Sequence, residues 1–444
     1  MKRIRSRSRW AMFNQKIYAA KRVLLTGLGV GACVIVLRLF GLLQTWELAS
    51  FDQSFRLRPL EPIDDRIIIV GIEEEDLRQV GTFPIPDRTM AQLLKKIQSY
   101  QPRTIGLDIY RNLPVEPGHS ELLKTYRTLP NLIGIEQIKD KISPGVPPPP
   151  VLEATKQVGF NNHLTDPDGR VRRGLLYWWT DNDRRHQSFA LTLALAYLKT
   201  NGITPEAAPD DAGLQLGKAV FSRLRSGDGA YIHLDDGGYQ FLANLRGAAE
   251  RLPRVSMTEV LAGRVPAERF RDRIVLIGST AVSLKDFVYT SYSDGTLDGS
   301  APQQMAGVEL QANFVSQIIS AAVDGRSQIQ FWSKPLEWLW ILIWAWAGAY
   351  LSWKVRSPLK AGLALLLTKV MLVLICYVAF LTNWWLPLVP SLIAVSASAI
   401  AIMAHMAHLQ EELKRSKEFL NKIINTIPDP IFVKDKQHRW IVLN

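Results

Sequence analysis

The chain has 444 residues, 47% of them hydrophobic and 21% charged, with 53 Lys and Arg against 41 Asp and Glu, a net charge of +12. At ~150 residues per domain this length allows two or three domains. The composition excludes a disordered, collagen-like or disulfide-framework protein. The apolar residues gather at the two ends of the chain, and that segregation decides the class.

In chain order, residues 1–22 come first. They hold Lys2, Arg3, Arg5, Arg7, Arg9, Lys16, Lys21 and Arg22 and no acidic residue. Residues 23–43 (VLLTGLGVGACVIVLRLFGLL) supply the ~20 mostly apolar residues that a bilayer-spanning helix needs. Residues 44–335 contain no comparable run. Three more follow, at 336–353, 361–381 and 384–406. The bias of Lys and Arg towards the cytoplasmic side puts the basic N-terminus inside, with Lys354, Arg356 and Lys360 after the second span and Lys414, Arg415 and Lys417 after the fourth. The uncharged turn Thr382–Asn383–Trp384–Trp385 suits the outer interface. The expectation is therefore a multi-pass protein of a bacterial plasma (inner) membrane, with both termini cytoplasmic and residues 44–335 outside. A basic N-terminus can also be a nucleic-acid arm. Here it abuts a spanning helix, and no nucleic-acid partner is expected. The first span is longer than the apolar core of a cleaved signal peptide, which favours an uncleaved anchor. The two cysteines, Cys33 and Cys376, both fall inside predicted spans, so the outer part must be stable without disulfides.

Within the outer part, RIIIVG (66–71) reads as a buried strand. Residues 90–100 have helical spacing through Leu93, Leu94 and Ile97. RTIGLDI (103–109) and NLIGI (131–135) read as further strands, and strands alternating with helices predict an α/β sheet covered by helices. SPGVPPPP (143–150) reads as a stiff extended surface loop. Residues 158–179 place the turn Asp166–Pro167–Asp168–Gly169 between β-rich arms, the pattern of a hairpin, with the two aspartates as turn residues. Residues 188–199 read as a helix, 200–245 as short hairpins, RIVLIG (273–278) as another buried strand and 308–322 as a helix.

These pieces resemble, in order, the CHASE type 2 extracellular sensory domain of bacterial receptors. The resemblance is carried by FDQSFRLRP (51–59), IIIVGIEEEDL (67–77), GTFPIPDR (81–88), PRTIGLDIY (102–110), DPDGRVRR (166–173), NLRG (244–247), RIVLIGSTAVSLKDFVYT (273–290) and GVELQANFVSQII (307–319), together with the layout of one span before the domain and three after it. Glu73 stands where an Asp is usual, Thr290 has no Pro directly after it, and 143–150 looks inserted. The resemblance implies an α/β extracytoplasmic domain, a mixed sheet covered by helices, that senses an unknown small-molecule or protein ligand.

No Ser/His/Asp order, HExxH, CxxC, GxGxxG or P-loop appears. His119, His163 and His186 are far apart in sequence, so neither a metal nor a cofactor is expected. Asp108 closes a predicted strand, at the end where open α/β sheets bind ligands. Arg88 lies in a Pro-rich turn that approaches the same edge, and Asp286 follows another strand. The three are candidates for a small-ligand pocket; they also read as a structural Arg–Asp pair with a capping carboxylate. Lys369 falls near the middle of the third span. A charge there is a functional candidate, facing Glu337 or a wet bundle interior, or else it snorkels. Arg38, nearer its helix end, is expected to snorkel.

Beyond the fourth span, Met406, Leu409, Leu413, Ser416, Leu420, Ile423 and Ile427 fall at alternating spacings of three and four. This is the seam of a coiled coil, which predicts a homodimer through the signalling helix 407–427. Residues 419–444 resemble the start of a PAS domain, with strands at IFVKD and WIVLN and a turn at 436–439; the truncated PAS part proper is 428–444. The chain then reads as the N-terminal part of a longer transmembrane receptor. By the same resemblance its output is a histidine kinase working with a response regulator, and the alternative is an adenylate, guanylate or diguanylate cyclase. No catalytic domain is legible in these residues. A second alternative is a membrane-anchored extracytoplasmic enzyme using Asp108, Arg88 and Asp286. A transporter ranks last, because no repeat symmetry is visible.

Overall fold

The computed structural model describes residues 2–140, 143–180, 183–209, 213–294, 303–355, 357–426, 432–434 and 440–443, with residues 2–20 and the last two segments by backbone alone. The chain forms two compact units. One comprises Met1–Leu43, Ser333–Cys376 and Pro387–Asn444, the other Gln44–Trp332 and Tyr377–Leu386.

The larger unit is built on a six-stranded sheet of β1 (Ile67–Ile72), β2 (Thr104–Asp108), β3 (Leu132–Glu136), β4 (Val158–Phe160), β5 (Arg254–Ser256) and β6 (Ile274–Ser279), in the order β5-β1-β6-β2-β3-β4. Every neighbouring pair is parallel. The runs IIIV and IVLI are apolar at successive positions because a parallel sheet is covered on both faces. Ile68 and Val70 pack with Met90, Leu94 and Ile97 of the helix Asp87–Ser99. Ile67 and Ile69 face the opposite side, in the cluster that holds Leu193, Val308 and Val315 of the helices Phe189–Lys199 and Gly307–Asp324. The expected α/β architecture is thus present. Parallel pairing makes up the central sheet, and antiparallel pairing is found in the smaller sheets.

The helix Gly307–Asp324 is buried almost throughout, and its polar side chains are held by bonds to neighbouring segments. Gln317 Nε2–H donates to the Leu242 carbonyl (2.9 Å), and Gln317 Oε1 accepts from the Asn244 N–H (2.8 Å). Asn313 Oδ1 accepts from the Arg246 N–H (3.1 Å), and the Ser316 hydroxyl donates to Asp64 (2.6 Å). β4 approaches the Phe189–Lys199 helix so closely that a Cβ on Gly159 would lie 2.5 Å from Phe189 Cα and 2.7 Å from its N. Because the obstruction is backbone, Gly159→Ala is expected to destabilise this unit by about 1–3 kcal/mol, visible as a lower urea midpoint in chemical unfolding.

Two sequence expectations are corrected here. Residues 158–179 form a hairpin only close to the turn, where Leu164 bridges Arg173 antiparallel and the Asp166 N–H meets the Arg170 carbonyl, and not over their whole length. Val158–Phe160 joins the central sheet, Arg170–Val171 pairs in parallel with Phe287–Thr290, and Arg173–Trp179 pairs with Tyr239–Leu242 and Arg185–Gln187. The turn itself forms, with the Gly169 N–H on the Asp166 carbonyl, but beyond the Leu164–Arg173 bridge its arms serve different sheets. The segment 143–150 is not wholly a surface loop either, because Pro148 and Pro149 are buried and Pro150 opens a short helix.

Residues 377–386 belong to this same unit. The Tyr377 hydroxyl donates to the Leu57 carbonyl (2.7 Å), Trp384–Trp385 pairs in parallel with Gln330–Phe331, and Trp385 packs 4.6 Å from Phe51 between ring centroids. The last long helix therefore begins at Leu388 rather than at residue 384. The pairing of Trp384 and Trp385 draws the preceding residues out of the helix.

The smaller unit contains the helices Lys2–Leu39, Lys334–Lys354, most of Pro358–Leu381, and Leu388–Thr426. Among the described residues three stretches are long and apolar enough to cross a membrane: Lys21–Leu39, Pro358–Leu381 and Leu388–Ile424. The Trp-rich helix Lys334–Lys354 is not among them, but it packs its Ile341 and Ala345 against Val34 and Ala394. Arg38 does not snorkel. It is buried and donates to Glu337 at 2.6 Å, because a carboxylate on the neighbouring helix offers a partner without recourse to water. The last helix runs unbroken to Thr426, and Phe432–Lys434 pairs antiparallel with Trp440–Leu443. The turn expected at 436–439 lies outside the described residues.

Candidate functional site

The strand ends decide where a site can form. β1, β2, β3 and β6 all point their C-termini the same way, and just beyond them lies a cavity of about 660 Å³. That volume falls within the range of ordinary small-molecule sites. Ile72, Asp108, Ile135 and Ser279 line it from or next to the strand ends. The loops 83–85, 109–111, 161–165 and 284–286 and the start of the Gly307–Asp324 helix close its walls.

Asp108 and Asp286, 178 residues apart, both line this cavity. Asp108 is 8% exposed, and its carboxyl is pushed up to about 7, first by burial and then by the neighbouring charge of Asp286. One bond opposes this: Asn161 Nδ2–H donates to Asp108 Oδ1 at 3.2 Å. Asn161 is itself held by the Tyr110 hydroxyl, which donates to its Oδ1 at 2.8 Å, and burial raises that phenol to about 12. The Asp286 carboxyl is also raised by desolvation, with His163 opposing, while burial lowers the His163 imidazole. The Asp286 carboxylate rests against Gly307, where a Cβ would come within 2.6 Å of its oxygen; only glycine leaves room there for the carboxylate. The Ser279 hydroxyl oxygen is buried and has no hydrogen-bond partner among the described residues.

Arg88 is not brought into this group. It is exposed on the first turn of the Asp87–Ser99 helix, with its N–H on the Pro117 carbonyl (2.9 Å). Its neighbour Asp87 is the inward residue, and it holds Arg111 (3.3 Å) and His119 Nδ1 (2.7 Å). Lys369 lies on Pro358–Leu381 in the other unit, half-buried. Among the described residues no ion pair involves it, and Glu337 is taken by Arg38. The sequence reading missed Tyr110, Asn161 and His163, which come from loops whose approach no local pattern announces. Among the described residues no group of three or more His, Cys, Asp or Glu could hold a metal ion.

A second polar centre is structural. Arg172, 1% exposed at its side chain, donates to Asp52 from Nε (2.8 Å) and Nη2 (2.7 Å), and to Asp166 (2.8 Å) and Asp168 (2.9 Å). Asp166 also accepts from Arg173 and from the Tyr231 hydroxyl. This ties the helix Gln44–Leu57 to the turn 166–169.

The family model of the CHASE2 domain matches residues 29–350 of the 444, and the chain belongs to that family. CHASE2 is a sensory extracellular domain found in receptors, so the chain is of the signal-receiving kind. Neither a curated protein nor a solved structure matches it.

Proposed function

We propose that the chain is the receiving part of a multi-pass receptor of the bacterial plasma membrane. Residues 44–335 stand outside, four helices cross the bilayer, and both termini lie in the cytoplasm. The helix Lys334–Lys354 is counted as a crossing beside those three. Its packing against neighbours of spanning length supports that count. The ligand, a small molecule, occupies the cavity beyond β2 and β6. One observation carries this reading: a CHASE2 domain whose sheet ends in a cavity onto which the carboxylates of Asp108 and Asp286 open, with Arg88 outside it. The helix running on to Thr426 would pair with its copy in a homodimer and pass the signal to a PAS start at 428–444. The output would be a histidine kinase with its response regulator, or alternatively a cyclase. A membrane-anchored extracytoplasmic enzyme is the second reading. The Asp108 carboxyl near 7 favours it, since general acid–base groups work best near ambient pH.

The test is cysteine labelling in intact cells, with Cys33 and Cys376 first replaced by Ser. Phe83, 63% exposed on the cavity rim, and Lys417, exposed on the last helix, are each changed to Cys. Phe83→Cys should react with a membrane-impermeant maleimide at once, and Lys417→Cys only after permeabilisation. Protection of Phe83→Cys in intact cells would overturn the reading.

A further inference from the structure

The cavity described above has an electrostatic imbalance that narrows its ligand. Three carboxylates line it, those of Asp108, Asp140 and Asp286, and among the described residues neither Asp108 nor Asp286 forms an ion pair with Lys or Arg. Arg111, which also lines it, is committed to Asp87, and that carboxylate is shared with His119. Lys285 is exposed, and neither carboxyl owes any part of its shift to it. The imidazole of His163 is kept neutral by burial, and Tyr110 keeps its phenolic proton. Two like charges facing a cavity without a counter-charge are relieved by a proton or by a cation. Among the described residues no three or more of His, Cys, Asp and Glu are grouped here as a metal ion would need. An ammonium group brings three N–H donors to acceptor-only oxygens. The buried Ser279 hydroxyl, without a partner among the described residues, adds another polar atom at the same wall. The rest of the lining is hydrocarbon from Ile72, Ile85, Ile109 and Leu310.

We propose that the cavity takes a small organic ammonium compound, its –NH3+ seated against the carboxylates of Asp108 and Asp286 and its hydrocarbon part against Ile72, Ile85, Ile109 and Leu310. The assignment rests on the reading of this cavity as the ligand site. An anionic ligand would bring a further negative charge to Asp286 and to Asp108, whose carboxyl the charge of Asp286 already raises.

The experiment is equilibrium binding to the full chain in lipid nanodiscs at pH 8, where an alkylammonium, like lysine, keeps its proton. The probes are phenethylamine, butylamine and 1,4-diaminobutane, set against 3-phenylpropionate and pentanoate as anions of similar skeleton. At least one amine should bind and neither carboxylate should. Asp108→Asn and Asp286→Asn should each weaken the amine about tenfold or more, the size of one lost charge-assisted hydrogen bond. Arg88→Ala should leave it unchanged, and Ile109→Trp, which fills the cavity, should abolish it. An amine that binds both asparagine variants as well as the parent overturns the proposal. If the carboxylates bind instead and Ile109→Trp removes them, the amine class falls while the ligand site stands. If nothing in either set binds, both fall.

Discussion

Asp108→Asn should stabilise the larger unit at pH 8, by up to about 4 kcal/mol, and should do nothing for it at pH 3. Proton linkage sets the sign. The Asp108 carboxyl is raised from its ordinary value of 3.8 to about 7 in the folded protein, and each tenfold change in proton affinity corresponds to about 1.4 kcal/mol. Below the unfolded value the group is protonated in both states and costs nothing. Between the two values the folded state holds a proton that the unfolded state has released, so stability falls as pH rises, and above about 7 the whole cost is felt. Asparagine has the same shape and no charge to desolvate. It removes the penalty from burial and from Asp286 while keeping a group that Asn161 can bond. Asp286→Asn shifts stability in the same direction, because that carboxyl is also raised. The measurement is urea unfolding of the full chain at pH 3, 5, 6.5 and 8, followed by near-ultraviolet circular dichroism. A variant that is less stable than the parent at pH 8 would show that Asp108 is not held there against the interests of folding. A carboxylate that destabilises its own fold is the kind of group that function retains.

The second large effect has the opposite sign. Arg172→Met should destabilise the same unit by about 3–5 kcal/mol, because it strips the partner from carboxylates that stay buried. Asp52 is 3% and Asp166 0% exposed at the side chain, against 35% for Asp168. Asp168→Asn should therefore cost little. Asp52→Asn with Arg172→Met should recover part of the loss, since the uncompensated charge leaves with the arginine. The three variants are compared by their urea midpoints at pH 7, and equal midpoints for Arg172→Met and Asp168→Asn would show that the network carries no such weight.

Much of this architecture is legible along the chain, for a physical reason. A strand buried on both faces must be apolar at every position, so 66–71, 103–109, 131–135 and 273–278 stand out, and each forms a strand of the central sheet. Asp108 is legible as the polar residue closing such a run. Arg88 is not a member of the site, and the sequence holds the corrective. Met90, Leu93, Leu94 and Ile97 define the buried face of the helix, and continuing that period backwards turns Asp87 inward and Arg88 outward. The Asp166 and Asp168 carboxylates read as turn residues and do close a turn. Their bonds to Arg172 lie beyond that reading, although two arginines beside the apolar run GLLYWW are a sign of buried partners. Tyr110, Asn161 and His163 leave no sign, because they meet only where loops from distant strands converge.

The polar bonds along the helix Gly307–Asp324 bear on how any displacement could travel. A shift by a single residue along the axis, about 1.5 Å, would break the Gln317 bonds to Leu242 and Asn244, the Asn313 bond to Arg246 and the Ser316 bond to Asp64 together. Each is worth about 1 kcal/mol, and more if its partner is left buried and unsatisfied. Those four partners lie in the segments just before β1 and around 242–246, so the rod is bolted to them at several points along its length. A piston stroke of this helix through its surroundings is ruled out as a low-energy motion. Any low-energy displacement of the helix would therefore have to carry Asp64 and the 242–246 segment with it.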